Sequence, residues 1–502
     1  MPDLHLPELD EARELDEHRR VRLAKLEELE RRGIDPYPIR VERTHSAEEA
    51  LAAFHEGAAE QATVCVAGRI ITQLKRFGKL IFCHLTDRSG RIQAAFRFDV
   101  LGREQFEILD LIETGDFLSV RGPLFKTKTG EITIEARAFA ILSKALRPLP
   151  EKWHGLTDVE KRYRQRYLDL IANPRARDTF IARSRVVAAI RRYLDTRCFL
   201  EVETPILQPV YGGAAARPFE TYHNAAERRL FLRIATELYL KRLIVGGLDR
   251  VYEIGRNFRN EGLSTKHNPE FTVLESYQAY ADYRDVMVMT EEMVAAVAHD
   301  VLGTTRVTYK GSEIEFQPPW RRITLADAVF EHTGVDIAGH PTVELLAGAA
   351  RRAGLPVAPE WNRGKLVDEL VSTFVEPRLI QPTFLVDYPI EFPGSILAKR
   401  VPGRDDLVER FEGYVGGFEI CNAFTELNDP RDQRARFEEQ AEMGRGGDDE
   451  AHPMDEDYIT ALEHGMPPTG GLGVGIDRLT MLLTDQHSIR EVILFPQLRE
   501  AE

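Results

Sequence analysis

Five short β-type runs between residues 62 and 146 constrain the fold of this chain most strongly. They read TVCVAGRII, KLIFCHLTD, RIQAAFRF, DFLSVRGPLF and EITIEARAFAIL, with turn signals at 88–90 and 128–130. A short helical segment, EQFEILDLI, falls between the third and fourth runs. This order is typical of an OB-fold, a partly open barrel that binds oligonucleotides on one face. Small barrels also serve as protein-interaction modules, so the pattern alone leaves both uses open.

The chain is too long to consist of this barrel alone. A chain of 502 residues is expected to hold about two to four domains. The pattern predicts a helical extension at 1–60, the OB-fold at 61–147, a linker at 148–178 and a second domain at 179–502. Within the second domain, a helical insertion is predicted at about 303–384.

The helical extension contains an amphipathic segment that is predicted to end near Gly33. Its apolar side holds Val21, Leu23, Leu26 and Leu29, and its basic side holds Arg19, Arg20, Arg22 and Lys25. A solvated surface helix and a basic arm on RNA both fit this pattern.

The net charge of −15 argues at first against a nucleic-acid partner, because phosphate contacts need lysine and arginine. The charge is segregated along the chain, however. Residues 405–457 hold 17 Asp and Glu against 5 Lys and Arg, whereas residues 143–192 hold 13 Lys and Arg against 5 Asp and Glu. The total charge therefore excludes no partner for a single face.

Three sequence features predict a cytoplasmic protein that does not enter a membrane. Residues 1–17 are acidic and lack an apolar stretch, so no secretory signal is expected. No run approaches 18 consecutive apolar residues. Four scattered cysteines without a C-x-x-C pair suit a reducing compartment: Cys65, Cys83, Cys198 and Cys421.

Two β-type runs around a polar loop collect the strongest set of chemical groups. VYEIGRNFR and EFTVLESYQAY are predicted to form a hairpin, and alternation puts Arg259 and Glu261 on one side. The returning strand aligns Phe271, Val273, Glu275 and Tyr277. Burying such charges without partners costs several kcal/mol each. The set therefore predicts a ligand site, with a structural salt-bridge network as the alternative.

Two further segments are weak signals when taken alone. FLEVETPIL ends an extended run at Pro205, which is common at strand ends. GGLGVGIDRLTMLL lacks the spacing of a dinucleotide-binding fingerprint, but its glycines allow close approach of a ligand or another backbone. Arg478 follows at the start of a helix and can hold an anion.

Together these segments resemble, in order, the three signature motifs of class II aminoacyl-tRNA synthetases. The similarity continues through RYRQRYLDL, GGAAARPF, ELYLKRL, FTELNDP and GMPPTGGLGVGIDR. Over nearly its whole length the chain resembles the bacterial lysyl-tRNA synthetases of class IIb. The resemblance implies an α+β fold, in which an N-terminal OB-fold barrel precedes an antiparallel-sheet catalytic domain with a helical insertion. It also implies a homodimer that activates lysine with ATP and Mg²⁺ and transfers it to tRNA(Lys).

The resemblance assigns site residues by their match to the family's motifs. The catalytic residues would be Arg259 and Arg478, and the magnesium ligands would be Glu412 and Glu419. The ATP site would comprise Arg259, Glu261, His267, Asn268, Phe271, Glu412 and Arg478. The lysine site would comprise Gly213, Glu237, Arg259, Glu275, Tyr277, Asn422 and Glu426. The anticodon would contact Phe82 and Gln93, with Lys75 and Arg76 on phosphates; a solvated basic turn is the alternative for these last two.

The acids of this pocket favour lysine as the substrate. Two ammonium groups need anionic partners, one at the α-position (Glu237) and one at the side-chain end (Glu426 with Tyr277). A pocket built to pair a buried charge rejects analogues lacking it by roughly 10⁴–10⁵. Aspartyl- or asparaginyl-specific relatives would need a cation or amide donors there.

Four segments depart from the family pattern. Cys198 and Thr236 stand where a glycine and a proline are usual, and Ile396 interrupts the usual S-P-L-A-[KR] segment. Cys421 and Ala423 replace glycines near the predicted pocket. None removes a charged group that the chemistry needs.

Two other functions remain as alternatives besides aspartyl or asparaginyl specificity. A paralogue that attaches lysine to a protein would lack the OB-fold. A non-catalytic RNA-binding regulator would be expected to lose Arg259, Glu412 or Arg478, which are all present.

Overall fold

The computed structural model of the chain describes residues 7–150, 156–445 and 451–499, with side chains from residue 15. The chain divides into two compact units, residues 1–157 and 158–502. Part of the predicted linker (151–155) and the start of the acidic opening segment (1–6) lie outside the described residues. In the described ranges, no helix combines the length and the apolar run that crossing a membrane requires.

In its described residues, the first unit is a β-barrel accompanied by α-helices. The helices are α1 (Pro7–Arg31), α2 (Ala47–Ala52) and α3 (Phe98–Ile108). The strands are β1 (Thr63–Ile70), β2 (Lys75–Phe77), β3 (Leu80–Thr86), β4 (Arg91–Arg97), β5 (Phe117–Lys126), β6 (Ile132–Glu135) and β7 (Ala138–Ser143). The sheet runs β1-β3-β4-β6-β5 and closes because β1 also pairs with β5. This closed arrangement is the predicted OB-fold.

A bulge splits the fifth predicted run into β6 and β7. The register along β5 slips by one residue between the pairs Leu124–Ile134 and Arg121–Ala138. A Cβ atom at Gly122 would lie 1.8 Å from the Glu135 carbonyl oxygen, so only glycine fits opposite the bulge.

Two side chains of α1 differ from the predicted amphipathic pattern. Arg22 is buried and donates to the Ala145 and Thr114 carbonyls at 3.0 and 3.1 Å, while Val21 is exposed. Lys25 pairs with Glu113 at 2.9 Å. The structure corrects the predicted faces, because this part of the basic side serves to attach the helix to the barrel.

The second unit is built on a large sheet. Its helices are α4 (Val159–Arg164), α5 (Arg166–Ala172), α6 (Pro174–Asp195), α7 (Glu237–Val245), α8 (Tyr283–Leu302), α9 (Leu325–Thr333), α10 (Val343–Arg352), α11 (Arg363–Leu370), α12 (Pro430–Arg445), α13 (Glu456–Glu463) and α14 (Ile476–Leu483). The strands of the large sheet are β8 (Leu200–Glu201), β12 (Arg250–Phe258), β13 (Glu270–Ala279), β16 (Arg321–Thr324), β17 (Thr383–Pro389), β18 (Arg400–Val401), β19 (Arg404–Val415), β20 (Phe418–Thr425) and β21 (Thr469–Gly475). Smaller sheets hold β9 (Leu207–Gln208), β10 (Glu220–His223), β11 (Arg228–Leu232), β14 (Arg306–Tyr309) and β15 (Ser312–Glu315).

The large sheet runs β16-β17-β19-β20-β21-β13-β12-β8 and is antiparallel from β17 to β12. Neighbouring residues on its strands enter opposite cores, as Phe384 and Leu385 do. One core contains α6, α8 and α14, and the other contains α7 and α9–α13. The predicted hairpin is confirmed as β12 and β13, with Glu253 opposite Glu275.

The helical part of the range predicted as an insertion is shorter than expected. Residues 306–315 form the β14–β15 hairpin, and β16 joins the large sheet. Helices begin only at Leu325, with α9, α10 and α11, and α11 runs into a wider helical turn at Val371–Val375.

Cys198 keeps the turn for which glycine is usual. Its φ is +61°, in the left-handed region that favours glycine. The backbone path is therefore retained at a conformational cost of about 1–2 kcal/mol.

Candidate active site

A cleft of about 370 Å³ opens on the α7 side of the large sheet, over β13, β19, β20 and β21. All the residues that the sequence analysis assigned to ATP, lysine and magnesium line it: Gly213, Glu237, Arg259, Glu261, His267, Asn268, Phe271, Glu275, Tyr277, Glu412, Glu419, Asn422, Glu426 and Arg478. The cleft thus gathers residues that lie up to 265 positions apart in sequence.

Arg259 offers a cation at one wall of the cleft. Its guanidinium lies 5.2 Å from the centre of the Phe271 ring, and its Nε donates to the Ile234 carbonyl at 3.4 Å. Among the described residues, no carboxylate forms an ion pair with it. An anionic ligand can therefore supply the missing partner.

A second cation, Arg478, lies at the start of α14. It donates to the Glu419 carboxylate at 3.0 Å and to the Glu419 carbonyl at 2.8 Å. Its guanidinium is 3.3 Å from Nε2 of His267. Desolvation and then the nearby Arg478 charge lower the pKa of His267, so its ring is neutral at neutral pH. Glu261 is exposed beside this loop.

Asn268 lines the cleft, but other residues already use its amide group. It donates to the Glu270 carbonyl at 2.5 Å and accepts from the Gln497 backbone at 3.3 Å. These bonds fix the Asn268 side chain, so the adenine base of a nucleotide would have limited access to its amide group.

The opposite wall of the cleft is acidic. Glu275 is buried and accepts from the Thr236 backbone at 3.1 Å and from the Tyr277 hydroxyl at 3.3 Å. Burial raises the pKa of Glu275, and the Thr236 amide opposes that rise. The departure at Thr236 has a direct effect here, because a proline has no N–H to donate.

Glu237 and Glu426 meet at Lys241, a residue that the sequence analysis did not single out. The Lys241 ammonium donates to Glu237 at 2.5 Å and forms an ion pair with Glu426. All three side chains are buried. Burial raises the pKa of both acids, and Lys241 opposes the rise. The ion pair between Glu237 and Lys241 could have been predicted from sequence, because the two residues are four positions apart in one predicted helix.

Two glycines make room for these acids. A Cβ atom at Gly471 would lie 1.9 Å from Glu426 Oε1 and 2.6 Å from the Tyr277 ring, so Glu426 and Tyr277 converge above this strand. Gly213 has φ of +87°, and its Cβ would lie 3.0 Å from that of Glu237. The glycines therefore serve close packing of the pocket side chains.

The two carboxylates predicted to bind magnesium share the β19–β20 hairpin. Burial raises the pKa of Glu412, the Arg410 charge opposes this, and Glu419 adds to the rise. A cation between the two acids would relieve their repulsion. No cluster of three or more His, Cys, Asp or Glu occurs among the described residues. Two carboxylates nevertheless fit Mg²⁺, which takes its remaining ligands from phosphate and water.

The sequence analysis also missed the groups that hold Glu412 in place. Tyr388 and Tyr414 donate to its Oε2 at 2.9 and 2.5 Å, and Arg410 donates to its Oε1 at 2.7 Å. Arg410 also donates to Asn422 at 3.0 Å. Arg410 could have been found from sequence, because it stands two positions before Glu412 on one face of the strand.

On the barrel, Phe82 and Gln93 are half-buried, and each lies between two buried neighbours on β3 or β4. Their side chains therefore point away from the barrel core. Gln93 already donates to Glu131 at 2.8 Å and accepts from Thr133 at 2.8 Å. His84 contacts the same carboxylate at 2.8 Å. A base that uses Gln93 must therefore compete with Glu131, a residue that no sequence motif singled out.

Lys75 and Arg76 belong to the short strand β2, where the sequence analysis placed a loop. Lys75 pairs in register with Phe82. Arg76 is bound to Asp110 and lies 5.1 Å from the Phe106 ring centre, so its charge is already partnered. Phe77 is exposed, and the centre of its ring lies 6.3 Å from the centre of the Phe82 ring. The two rings therefore form one aromatic patch on the barrel.

The comparisons with known proteins agree with this architecture. Residues 158–499 match the family model for class II tRNA synthetases (D, K and N). Residues 64–142 match the family model for the OB-fold nucleic acid binding domain. The chain therefore belongs to the class II tRNA synthetases.

The similar curated proteins narrow the family. A lysine–tRNA ligase from Chloroflexus aurantiacus is 56% identical over 97% of this chain and 99% of its own length. Lysine–tRNA ligases from Carboxydothermus hydrogenoformans and Bacillus subtilis are 55% and 51% identical, each over 97% of this chain and 99% and 98% of their own lengths. Within its class, the chain belongs to the lysine–tRNA ligase family.

Proposed function

We propose that the cleft activates L-lysine with ATP and that the enzyme then transfers the lysyl group to the 3′ end of tRNA(Lys). In the first step, a lysine carboxylate oxygen attacks the α-phosphorus, the bond to pyrophosphate breaks, and lysyl-adenylate forms. In the second step, a ribose hydroxyl of the tRNA attacks the lysyl carbonyl and AMP leaves. The observation that carries this proposal is that one cleft holds both an acidic wall and Arg259, which forms no ion pair with any residue that the structure describes.

The arginines account for the first step. The carboxylate nucleophile is already ionised, so the protein must chiefly position it and stabilise charge on the phosphate. Arg259 binds the substrate carboxylate and the α-phosphate, and Arg478 with His267 binds the outer phosphates. Phe271 supports the adenine, and Glu261 and Asn268 border it.

Glu412 and Glu419 would hold the Mg²⁺ that accompanies ATP, which neutralises charge on phosphate oxygens when bound. Tyr388, Tyr414 and Arg410 orient Glu412 for this role through the hydrogen bonds described above.

The acids account for the choice of lysine. Glu237 receives the α-ammonium group, and Glu426 with Tyr277 receives the side-chain ammonium. Glu275 and Asn422 complete the pocket, and Gly213 lies next to Glu237. Aspartate would place a carboxylate against three buried acids, which disfavours the aspartyl alternative.

The barrel is proposed to bind the tRNA anticodon, with Phe82 stacking on a base and Gln93 hydrogen-bonding to it. Lys75 contacts a phosphate, and Arg76 does so only by leaving Asp110. The proposal includes a homodimer and, consistent with four free cysteines, a cytoplasmic location.

ATP–pyrophosphate exchange with each of the twenty amino acids tests the proposed function. We expect exchange with lysine only. Exchange with aspartate or asparagine, or none with any amino acid, would contradict it.

A further inference from the structure

Lys241 is a buried ammonium group between two acids of the cleft. Its side chain is fully buried, and its Nζ contacts Glu237 Oε1 and Glu426 Oε2. It also lies 5.3 Å from the centre of the Phe424 ring. A buried charge persists only where partners compensate it, and here the partners are residues of the proposed substrate pocket.

Lys241 does not contact every carboxylate oxygen of Glu237 and Glu426. Glu426 Oε1 is buried and has no hydrogen-bond partner among the described residues. It lies above Gly471 beside the Tyr277 ring, at the wall of the cleft. An unpartnered buried carboxylate oxygen is a binding position for a cationic donor.

The charges of the pocket balance only when Lys241 is counted. Arg410 is already matched by its ion pair with Glu412 at 2.7 Å. Glu237, Glu275 and Glu426 carry three negative charges when ionised, and Lys241 reduces this excess to two. Lysine brings two ammonium groups, while its carboxylate is matched by Arg259. Without Lys241 the pocket would hold one negative charge too many.

We propose that Lys241 is a positioning and specificity residue, a resident ammonium that orients Glu237 and Glu426 and fixes the pocket at two unpaired negative charges for lysine. The inference rests on the proposed function and assigns a role to a residue that is not among those lining the cleft. Lys241 therefore acts through the two acids, by keeping them ionised and in place before lysine arrives.

The electrostatic surroundings show what its loss would do. Burial already raises the pKa of Glu237 and Glu426, and Lys241 is the largest influence that lowers both. The other polar or charged groups around this centre are Glu275, Tyr277, Arg410, His452 and Tyr458. Arg410 is paired with Glu412, and Arg242 pairs with Asp455 and Asp457. Lys241 is therefore the cation that contacts both acids directly, and its loss would raise their pKa further.

The test replaces Lys241 by methionine, which keeps the length of the side chain and removes its charge. We expect kcat/KM for lysine in ATP–pyrophosphate exchange to rise with pH between 6 and 8, because binding requires the protonated acid to ionise. Each unit by which the acid's pKa exceeds the assay pH lowers kcat/KM about tenfold. The KM for ATP should stay within about threefold of the wild-type value. Lys241→Arg, which retains the charge, should restore the wild-type pH profile.

Lys144 provides a matched control. It is also fully buried and pairs with buried Asp116 at 2.7 Å, but it lies in the barrel unit. Lys144→Met should lower stability without changing the pH profile for lysine. An unchanged profile in Lys241→Met, or the same change in both variants, would overturn the inference.

A measurement on the unmodified enzyme keeps the inference testable if Lys241→Met does not fold. Lysine binding is measured calorimetrically at pH 7 in buffers of different ionisation enthalpy. We expect close to zero protons exchanged, because the proposed role of Lys241 is to hold both acids in the ionised form before lysine binds. Release of about one proton would overturn the role of Lys241. Failure of the wild-type enzyme to bind or activate lysine would instead refute the proposed function.

Discussion

Replacing Glu426 by glutamine tests the part of the pocket that is proposed to bind the side-chain ammonium group of lysine. The change removes one negative charge and keeps the shape of the side chain. Glu426 is 1% exposed, so solvent screens its interaction with a substrate ammonium group very little. Leaving one member of a buried ion pair without its partner costs about 3–5 kcal/mol. At 1.36 kcal/mol per factor of ten, kcat/KM for lysine should fall by about 10²- to 10⁴-fold.

The assay is ATP–pyrophosphate exchange with lysine varied at saturating ATP, and then with ATP varied at saturating lysine. The KM for ATP should change by less than about threefold, because Arg259 and Arg478 have no contact with Glu426 among the described residues. Glu456→Gln is the control, since that carboxylate is 65% exposed and its ion pair is with Arg434 on the surface. Equal losses for lysine and ATP would refute the assignment of Glu426 to the side-chain ammonium.

Four other variants test separate parts of the account. Phe82→Ala should raise the KM for tRNA about 5- to 100-fold, because one base loses its stacking partner, and should leave lysine-dependent exchange unchanged. Loss of both tRNA charging and exchange would indicate a damaged fold. Thr236→Pro removes the N–H donor to Glu275 and should raise the KM for lysine about fivefold in the exchange assay, whereas an unchanged KM would contradict that role. Burial lowers the pKa of His452 to about 4 from its ordinary value of 6.5, so the unfolded chain binds more protons between these pH values and stability falls as pH drops below 6.5. His452→Gln should remove about 2 kcal/mol of this loss at pH 5, seen as a smaller fall in Tm between pH 7.5 and 5; an equal fall in both proteins would contradict it. Glu419→Gln should increase the Mg²⁺ concentration needed for half-maximal exchange, and an unchanged requirement would exclude Glu419 as a ligand.

The sequence predicted much of the fold because local patterns agree with the tertiary structure. Short β-type runs between turn signals identified the main barrel strands, and the burial along β3 and β4 alternates as a half-buried strand requires. The pattern of runs failed at the fifth run, where the bulge opposite Gly122 depends on a carbonyl of a neighbouring strand. It also missed the three-residue strand β2, which is too short to show a period.

The site residues were predicted from the family motifs, whereas the contacts among them required the structure. Lys241 stands in an apparently ordinary helix, and its spacing from Glu237 gave no hint that Glu426 would meet it from the end of β20. Arg76 was predicted to contact a phosphate or to belong to a solvated basic turn, and the structure pairs it with Asp110, just after α3 in the chain. Such long-range pairings set which charges remain available, and a local pattern cannot encode them.

The most direct test of the central claim is the ratio of kcat/KM for lysine to that for norleucine, which lacks only the side-chain amino group. A pocket whose buried acids are matched to two ammonium groups predicts a ratio of about 10⁴ or more in ATP–pyrophosphate exchange. A ratio below about 200, as an apolar pocket gives, would contradict the claim.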